Sequence, residues 1–354
     1  MRFFCALLLS ISTFAHAFTF EDDFTYAYPF RLISGTSNPD LAKRVSDVLG
    51  VPLSKAKVDR FNDGEVNIQI QENIRNCDVY VVQSTCPSCD GSVNDNVIEL
   101  YLLIRALKRA SAHTVTAVVP YFGYARQDRK MMSRVPISAS DMAMLFELAG
   151  ADHVMAVDLH CGQIQGFFHE APVDNLFASR IFVPYVAKLN LQNPVIVSPD
   201  AGGVERAKNF MDGLKRYGMD PGMAIIVKER IKAGEVNGMN LVGNVEGCDI
   251  VIVDDICDTA GTLCKAAKEL KNQGARKVIA CITHPVFSGP ALERIGHSEI
   301  DELIVTDTVP FREDVPINIT LLSIAPVLAE AVSRTHDGKS LSYLFQYGEV
   351  PSKF

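Results

Sequence analysis

Residues Asp249–Thr262, DIVIVDDICDTAGT, bring two adjacent carboxylates to the place where a strand should end. An apolar β-branched run, Ile250 to Val253, leads into Asp254 and Asp255. Asp258-Thr259-Ala260-Gly261-Thr262 then makes a turn of small and hydroxyl residues, and a helix is predicted from Leu263. N–H groups of such a loop and of the first helical turn point at one spot, where the helix dipole favours negative charge. The two acids repel phosphate themselves; they suit sugar hydroxyls or a Mg²⁺ riding on phosphates. Plain strand–loop–helix connections are common in α/β proteins, but the paired acids set this one apart. The chemistry it supports is capture of a phosphorylated sugar.

Other clusters extend that chemistry. Arg126-Gln127-Asp128-Arg129-Lys130 follows a predicted strand and the turn Pro120-Tyr121-Phe122-Gly123-Tyr124. Its three cations suit an oligophosphate, and the aromatic lead-in suits a nucleotide; a solvated charged turn is the plain alternative. Asp158-Leu159-His160 closes another strand, where residues two apart on an extended segment share a face and can reach one metal or phosphate. A core histidine is the plain alternative there. Asp200-Ala201-Gly202-Gly203 ends a strand in the same way, with glycines that allow close backbone approach and an acid for Mg²⁺ or a ribose hydroxyl. Lys228-Glu229-Arg230 leaves the strand Ala224–Val227 and enters a Gly- and Asn-rich stretch, a candidate lid that delivers charge once substrate is bound. Phe61-Asn62-Asp63-Gly64-Glu65 reads as a hairpin turn; it also offers an aromatic face and two acceptors, Asp63 and Glu65, for a purine amino group.

Elements with two periodicities must position these groups. Strands are predicted at Val79–Gln83, Thr114–Pro120, Val154–Leu159, Val195–Ser198, Ala224–Val227, Asp249–Val253, Lys277–Thr283, Glu302–Thr306 and Ile317–Ser323. Helical spacing recurs over Asn96–Ala110, Ala139–Ala149, Val204–Leu214, Leu263–Asn272 and Ile324–Arg334. The alternation predicts an α/β fold of mostly parallel sheets with right-handed crossovers, and the apolar strands predict cover on both faces. Two similar halves are expected, 29–176 and 177–334, with the tail 335–354 returning to the first. In each, ligands belong at the carboxyl ends of the strands.

The totals narrow the partners. At 354 residues the chain suits two domains, and a net charge of −8 with no basic run speaks against nucleic acid or an anionic membrane. Nine scattered cysteines imply a reducing compartment. Cys86-Pro-Ser-Cys89 lacks a second ligand pair for zinc and a helix N-terminus for redox work, so it reads as a loop feature. Residues 1–28 read as a leader or a spurious extension: Arg2, an apolar run Phe3–Phe14 and Ala15-His16-Ala17 match a secretory signal. That run is too short for a confident membrane span. The expected compartment is the cytoplasm. An organelle is the alternative, given this N-terminus and Ser352-Lys353-Phe354, a loose relative of the S-K-L address.

Taken together, these segments resemble the ribose-phosphate pyrophosphokinase family. The resemblance runs from Leu32 to Phe345 and includes F-N-D-G-E, Y-A-R-Q-D-R-K, D-L-H-x-x-Q-I-Q-G-F-F, V-S-P-D-A-G-G, K-E-R, D-D-x-x-D-T-x-G-T, F-S-G-P-A (Phe287–Ala291) and S-Y-L-F (Ser342–Phe345). It implies two phosphoribosyltransferase-type domains and transfer of the diphosphoryl group of Mg-ATP to the 1-hydroxyl of ribose 5-phosphate. It also implies site residues. Phe61, Asp63, Gly64 and Glu65 would contact ATP, in that family from a neighbouring subunit, together with Arg126, Gln127 and His160. Asp158, His160 and Asp200 would surround Mg²⁺, and Lys228 and Arg230 would be the catalytic lid pair. Asp254, Asp255, Asp258, Thr259, Ala260, Gly261 and Thr262 would hold ribose 5-phosphate. A homo-oligomer built on dimers, up to a hexamer, is implied as well.

Two departures stand out: the Cys86–Ser92 turn is longer than the family's, and His169–Asp174 has an extra residue and a histidine in place of an acid. The rival readings are a silent regulatory paralogue, which should have lost the lid cations or the sugar loop, and a phosphoribosyltransferase, which has no need of F-N-D-G-E or the Arg126–Lys130 cluster.

Overall fold

The computed structural model describes residues 28–232, 235–310 and 315–345, with backbone alone at 228–232, 235–239 and 343. The leader and Ser352-Lys353-Phe354 expectations lie outside the described residues. The chain runs β1 (Phe30–Ser34), α1 (Pro39–Leu49), β2 (Ala56–Arg60), β3 (Val66–Ile70), β4 (Asp78–Val82), α2 (Val93–Arg109), β5 (Thr114–Val119), α3 (Ser138–Ala149), β6 (His153–Val157), β7 (Val173–Leu176) and α4 (Ser179–Ala187). It continues through β8 (Val195–Ser198), α5 (Val204–Lys215), β9 (Gly222–Lys232), β10 (Glu235–Val242), β11 (Asp249–Cys257), α6 (Gly261–Asn272), β12 (Lys277–Pro285), α7 (Ala291–Gly296), β13 (Glu302–Thr306), β14 (Ile319–Leu322), α8 (Ala325–His336) and α9 (Ser342–Phe345).

Among the described residues the strands form three sheets. The first is five-stranded and parallel, in the order β1-β4-β5-β6-β7. The second is seven-stranded, in the order β10-β9-β8-β11-β12-β13-β14, parallel except for the β9–β10 hairpin at its edge. The third is the β2–β3 hairpin. The central strands of the two large sheets are apolar, as strands covered on both faces are. A central core joins the facing sides of the two large sheets through α1, α4, α5 and α8, with Leu41, Phe182, Phe210 and Val327 among its side chains. The outer face of the first sheet packs on α2 and α3, and that of the second on α6 and α7.

Local chemistry sets several boundaries. Asn38 caps α1 by accepting from Leu41 N, Pro39 sits in its first turn, and Gly50 ends it in the left-handed conformation at φ 67°. Ser92 and Asp95 form a reciprocal capping box that starts α2. The end of α8 and the chain after it lie against the first sheet: His336 Nδ1 is 3.5 Å from Asp78 Oδ2, and the Phe345 ring meets Phe177.

Two strands outrun their sequence reading. The run expected to stop at Val253 stays in the sheet to Cys257, because β12 pairs with it as far as Pro285. The strand expected to end at Val227 continues to Lys232, because β10 folds back along it. β1, α1, β7 and α4 were not foreseen, while the hairpin turn read at Phe61–Glu65 joins β2 and β3.

Candidate active site

The two large sheets bring the carboxyl ends of β5 and β6 opposite that of β11. Asp255, the second acid of the pair, is buried and clamped from both sides. Its Oδ2 lies 2.7 Å from His160 Nδ1, which comes from the loop after β6. Its Oδ1 lies 3.2 Å from Arg206 Nη1, on the first turn of α5. Burial alone would raise the Asp255 carboxyl, but Arg206 and His160 outweigh it and hold it well below its ordinary value. The contact with Asp255 likewise lifts the His160 imidazole above its usual 6.5, against desolvation.

Asp254 is held less tightly. Its Oδ1 accepts from Asp255 N at 3.0 Å and stands 3.7 Å from Arg206. Burial, and then the Asp255 charge beside it, push its carboxyl up to about 8. Of the two acids, Asp254 is therefore the one with oxygens to offer a ligand, while Asp255 is spent on holding the two sheets' loops together.

The loop that follows has the form of an anion cradle. Ala260 adopts φ 60°, the left-handed conformation that turns the chain into α6. Ser288 N donates to Asp258 O at 2.9 Å, and Arg294 Nη1 to Thr259 O at 2.9 Å, which fixes the loop from behind. Arg126 Nη1 reaches across from the loop after β5 and donates to Asp258 Oδ2 at 2.6 Å. Burial raises the Asp258 carboxyl, yet hydrogen bonds involving Ser288 and Arg126 hold it below the ordinary value, and its Oδ1 is buried with no hydrogen-bond partner.

Gln127, next to Arg126, is held at the start of α3: its Oε1 accepts from Ser138 Oγ, and its carbonyl accepts from Ala139 N. Asp200 makes a tight turn in which its Oδ1 accepts from Gly202 N at 3.0 Å and Gly203 N at 3.1 Å. A Cβ at Gly203 would come within 2.9 Å of Ser198 Oγ, so this close approach needs glycine.

The geometry expected for Asp158-Leu159-His160 is corrected by the structure. β6 ends at Val157, and Asp158 takes φ 41°, so the two side chains do not share one extended face. Asp158 turns inward, where its Oδ2 accepts from Thr283 Oγ1 at 2.6 Å and Ala178 N at 3.1 Å. Its carbonyl lies 3.3 Å from His284 Nε2. Among the described residues no three His, Cys, Asp or Glu side chains are gathered to hold a metal ion.

Other sequence candidates lie elsewhere. Phe61–Glu65 is the tip of the β2–β3 hairpin, with Phe61 53% exposed, Gly64 at φ 94° and its described hydrogen bonds internal to the turn. Lys228 and Arg230 are on β9, and their side chains fall outside the described residues. Cys86 is buried with Tyr121 and Val309, and burial pushes its thiol up to about 12. At the departure near His169, Glu147 Oε1 accepts from three successive amides, His169, Glu170 and Ala171, and Asp174 pairs with His153 at 2.7 Å. Arg206 was missed by sequence reasoning. The available signal was a cation on the first turn of a helix that follows a strand-ending acid and two glycines.

Comparison with known proteins covers the same ground. Residues 30–150 match a family described as the N-terminal domain of ribose phosphate pyrophosphokinase, and residues 228–346 match the phosphoribosyl synthetase-associated domain. The ribose-phosphate pyrophosphokinase of Campylobacter jejuni is 48% identical over 316 residues, spanning 89% of this chain and 99% of the relative. That of Bacillus subtilis is 50% identical over 316 residues, 89% of this chain and 96% of the relative. The crystal structure of phosphoribosylpyrophosphate synthetase from Mycobacterium smegmatis superposes with a TM-score of 0.81 at 37% identity, covering 88% of this chain and 99% of that one.

Proposed function

The chain belongs to the ribose-phosphate pyrophosphokinase family, and on that premise we propose how its own residues carry out the reaction. The enzyme transfers the diphosphoryl group of ATP to the 1-hydroxyl of ribose 5-phosphate, giving 5-phosphoribosyl 1-pyrophosphate and AMP for nucleotide biosynthesis. The observation that carries this reading is the Arg126–Asp258 contact, which joins a cation-rich loop of one sheet to the sugar-phosphate loop of the other at 2.6 Å. A phosphoribosyltransferase would need only the second of these loops.

Ribose 5-phosphate sits on Asp254–Thr262. The amides at the start of α6 take its phosphate, and Asp254 accepts its hydroxyls. ATP lies against Arg126, Gln127 and His160, its adenine meeting Phe61, Asp63, Gly64 and Glu65 of a neighbouring subunit. Lys228 and Arg230 close over the triphosphate and neutralise the charge that builds on the bridging and leaving oxygens. Catalysis is then mostly positioning, because the two substrates need only be held in line.

The residues present fit Mg²⁺ as a partner of the nucleotide. A protein cage is absent among the described residues, and magnesium is commonly held by one or two protein ligands, with substrate phosphates and water completing its shell. His160 and Asp200 would hold it, with Asp158 steadying the strand end behind them. The chemistry it supplies when bound is charge neutralisation on the transferred diphosphoryl group.

Domains divide at 176/177, with the segment after 334 returning to the first, and the active form is a homo-oligomer that completes each ATP site. No helix among the described residues is long and apolar enough to cross a membrane, and the cytoplasm is the proposed compartment.

The test supplies Mg-ATP, ribose 5-phosphate and phosphate to the purified protein and follows both products. Stoichiometric AMP and phosphoribosyl pyrophosphate are expected. Substrate binding without product would point to a silent paralogue, and no binding would overturn the reading.

A further inference from the structure

Arg206 stands between the paired acids and the rest of the cleft. It projects from the first turn of α5, its side chain 20% exposed, into a cavity of about 280 Å³ that His160, Gly202 and Thr283 also line. Its Nη1 faces Asp255 Oδ1 at 3.2 Å and Asp254 Oδ1 at 3.7 Å. Asp158 and Asp200 also lie within its electrostatic reach. His160 already occupies the other oxygen of Asp255, and Asp254 has only a backbone amide besides Arg206 among its described partners. Once both are ionised, two neighbouring carboxylates on a buried strand repel each other. One guanidinium nitrogen, Nη1, stands against both carboxylates, on a planar group fixed in orientation where an ammonium on a flexible stem is not.

We propose that Arg206 is a positioning residue for the sugar site: it holds Asp254 beside Asp255 by Oδ1, so that the other oxygen of Asp254 meets the hydroxyls of a pentose phosphate. Without the guanidinium the two carboxylates part, and the acceptor geometry that a vicinal diol requires is lost. Arg206 itself touches neither substrate. The inference rests on the assignment of Asp254–Thr262 to ribose 5-phosphate.

The experiment uses full-length protein, Arg206→Gln and Arg206→Lys, with steady-state KM for each substrate, kcat and thermal melting. Arg206→Gln should raise the KM for ribose 5-phosphate about 10- to 100-fold, within the coupling range of residues in one salt-bridge network, with the KM for ATP within about threefold of wild type. Arg206→Lys should recover part of that loss. An equal rise in both KM values, or a lower melting temperature with the ribose 5-phosphate KM unchanged, would overturn the proposal. Should Arg206→Gln fail to fold, Arg206→Lys decides: an unchanged ribose 5-phosphate KM sinks it. Inactive wild-type protein would instead count against the reaction itself.

Discussion

Arg126 Nη1 donates to Asp258 Oδ2 at 2.6 Å and so ties the loop after β5 to the loop after β11. The guanidinium is 54% exposed and the carboxylate 27%, so this pair adds little to stability, about 0–1 kcal/mol. Its consequence is kinetic. Either substrate must work against, or around, the same contact. Arg126→Ala should raise the KM for ATP by about tenfold while shifting the melting temperature by no more than a degree or two. A large loss of thermal stability with unchanged KM would show that the contact is architectural.

Asp255 is the opposite case. It is buried, and its removal strands His160 and Arg206 without their shared anion. Breaking a buried pair from one side costs roughly 3 kcal/mol or more, which amounts to several degrees in melting temperature for a domain of this size. Asp255→Ala should therefore melt well below Asp254→Ala. Equal melting points for the two variants would contradict the assignment of distinct duties to the acids.

The pH dependence of the ligand-free protein follows from two upward shifts. The Asp254 carboxyl moves from its ordinary 3.8 to about 8, and the His160 imidazole rises above 6.5. A raised group contributes its full stability below the unfolded-state value and loses it as pH climbs through the folded one. For Asp254 that window is about pH 4 to 8, and for His160 it begins near pH 6.5. Asp255 is lowered, and its contribution is lost only as pH falls below about 4. Melting temperature should fall between about pH 6 and pH 8.5, and Asp254→Asn should flatten that slope. Identical slopes in the two proteins would rule Asp254 out as the source.

Lys228→Ala tests the lid. Turnover should drop by at least about 100-fold, the scale of losing one transition-state donor, while ribose 5-phosphate binding measured by calorimetry stays near wild type. Near-normal turnover would remove Lys228 from the chemistry.

Phe61 tests the shared site. Because its ring is 53% exposed, Phe61→Ala should leave thermal stability unchanged. It should weaken ATP several-fold, consistent with the loss of one stacking contact. Light scattering under assay conditions should show an oligomer; an active monomer would refute adenine contact from a neighbour.

Much of the architecture was legible because it is local. Val195–Ser198 and Glu302–Thr306 agree with their apolar runs residue for residue, since a strand covered on both faces advertises itself by continuous β-branched and aliphatic side chains. The D-D-x-x-D-T-x-G-T loop was equally plain, because strand end, turn and helix start are set by neighbours in the chain. Edges were less so: Ala224–Val227 and Asp249–Val253 were cut short where polar residues begin, yet pairing with β10 and β12 carries both strands onward. A ladder hydrogen bond does not depend on the polarity of the side chain above it.

What the sequence by itself determined is which groups stand at the carboxyl ends of the strands. The tertiary structure alone decided which of them meet. Asp158 and His160 are two residues apart, yet one turns inward to Thr283 and the other outward to Asp255, because a left-handed φ at Asp158 breaks the alternation. Arg206 reaches the acids only because α5 crosses their strand end, and Arg126 reaches Asp258 only because two sheets share one core. Such contacts span 49 to 132 residues, and they form where burial brings opposite charges within a few ångströms, a condition that no local pattern encodes.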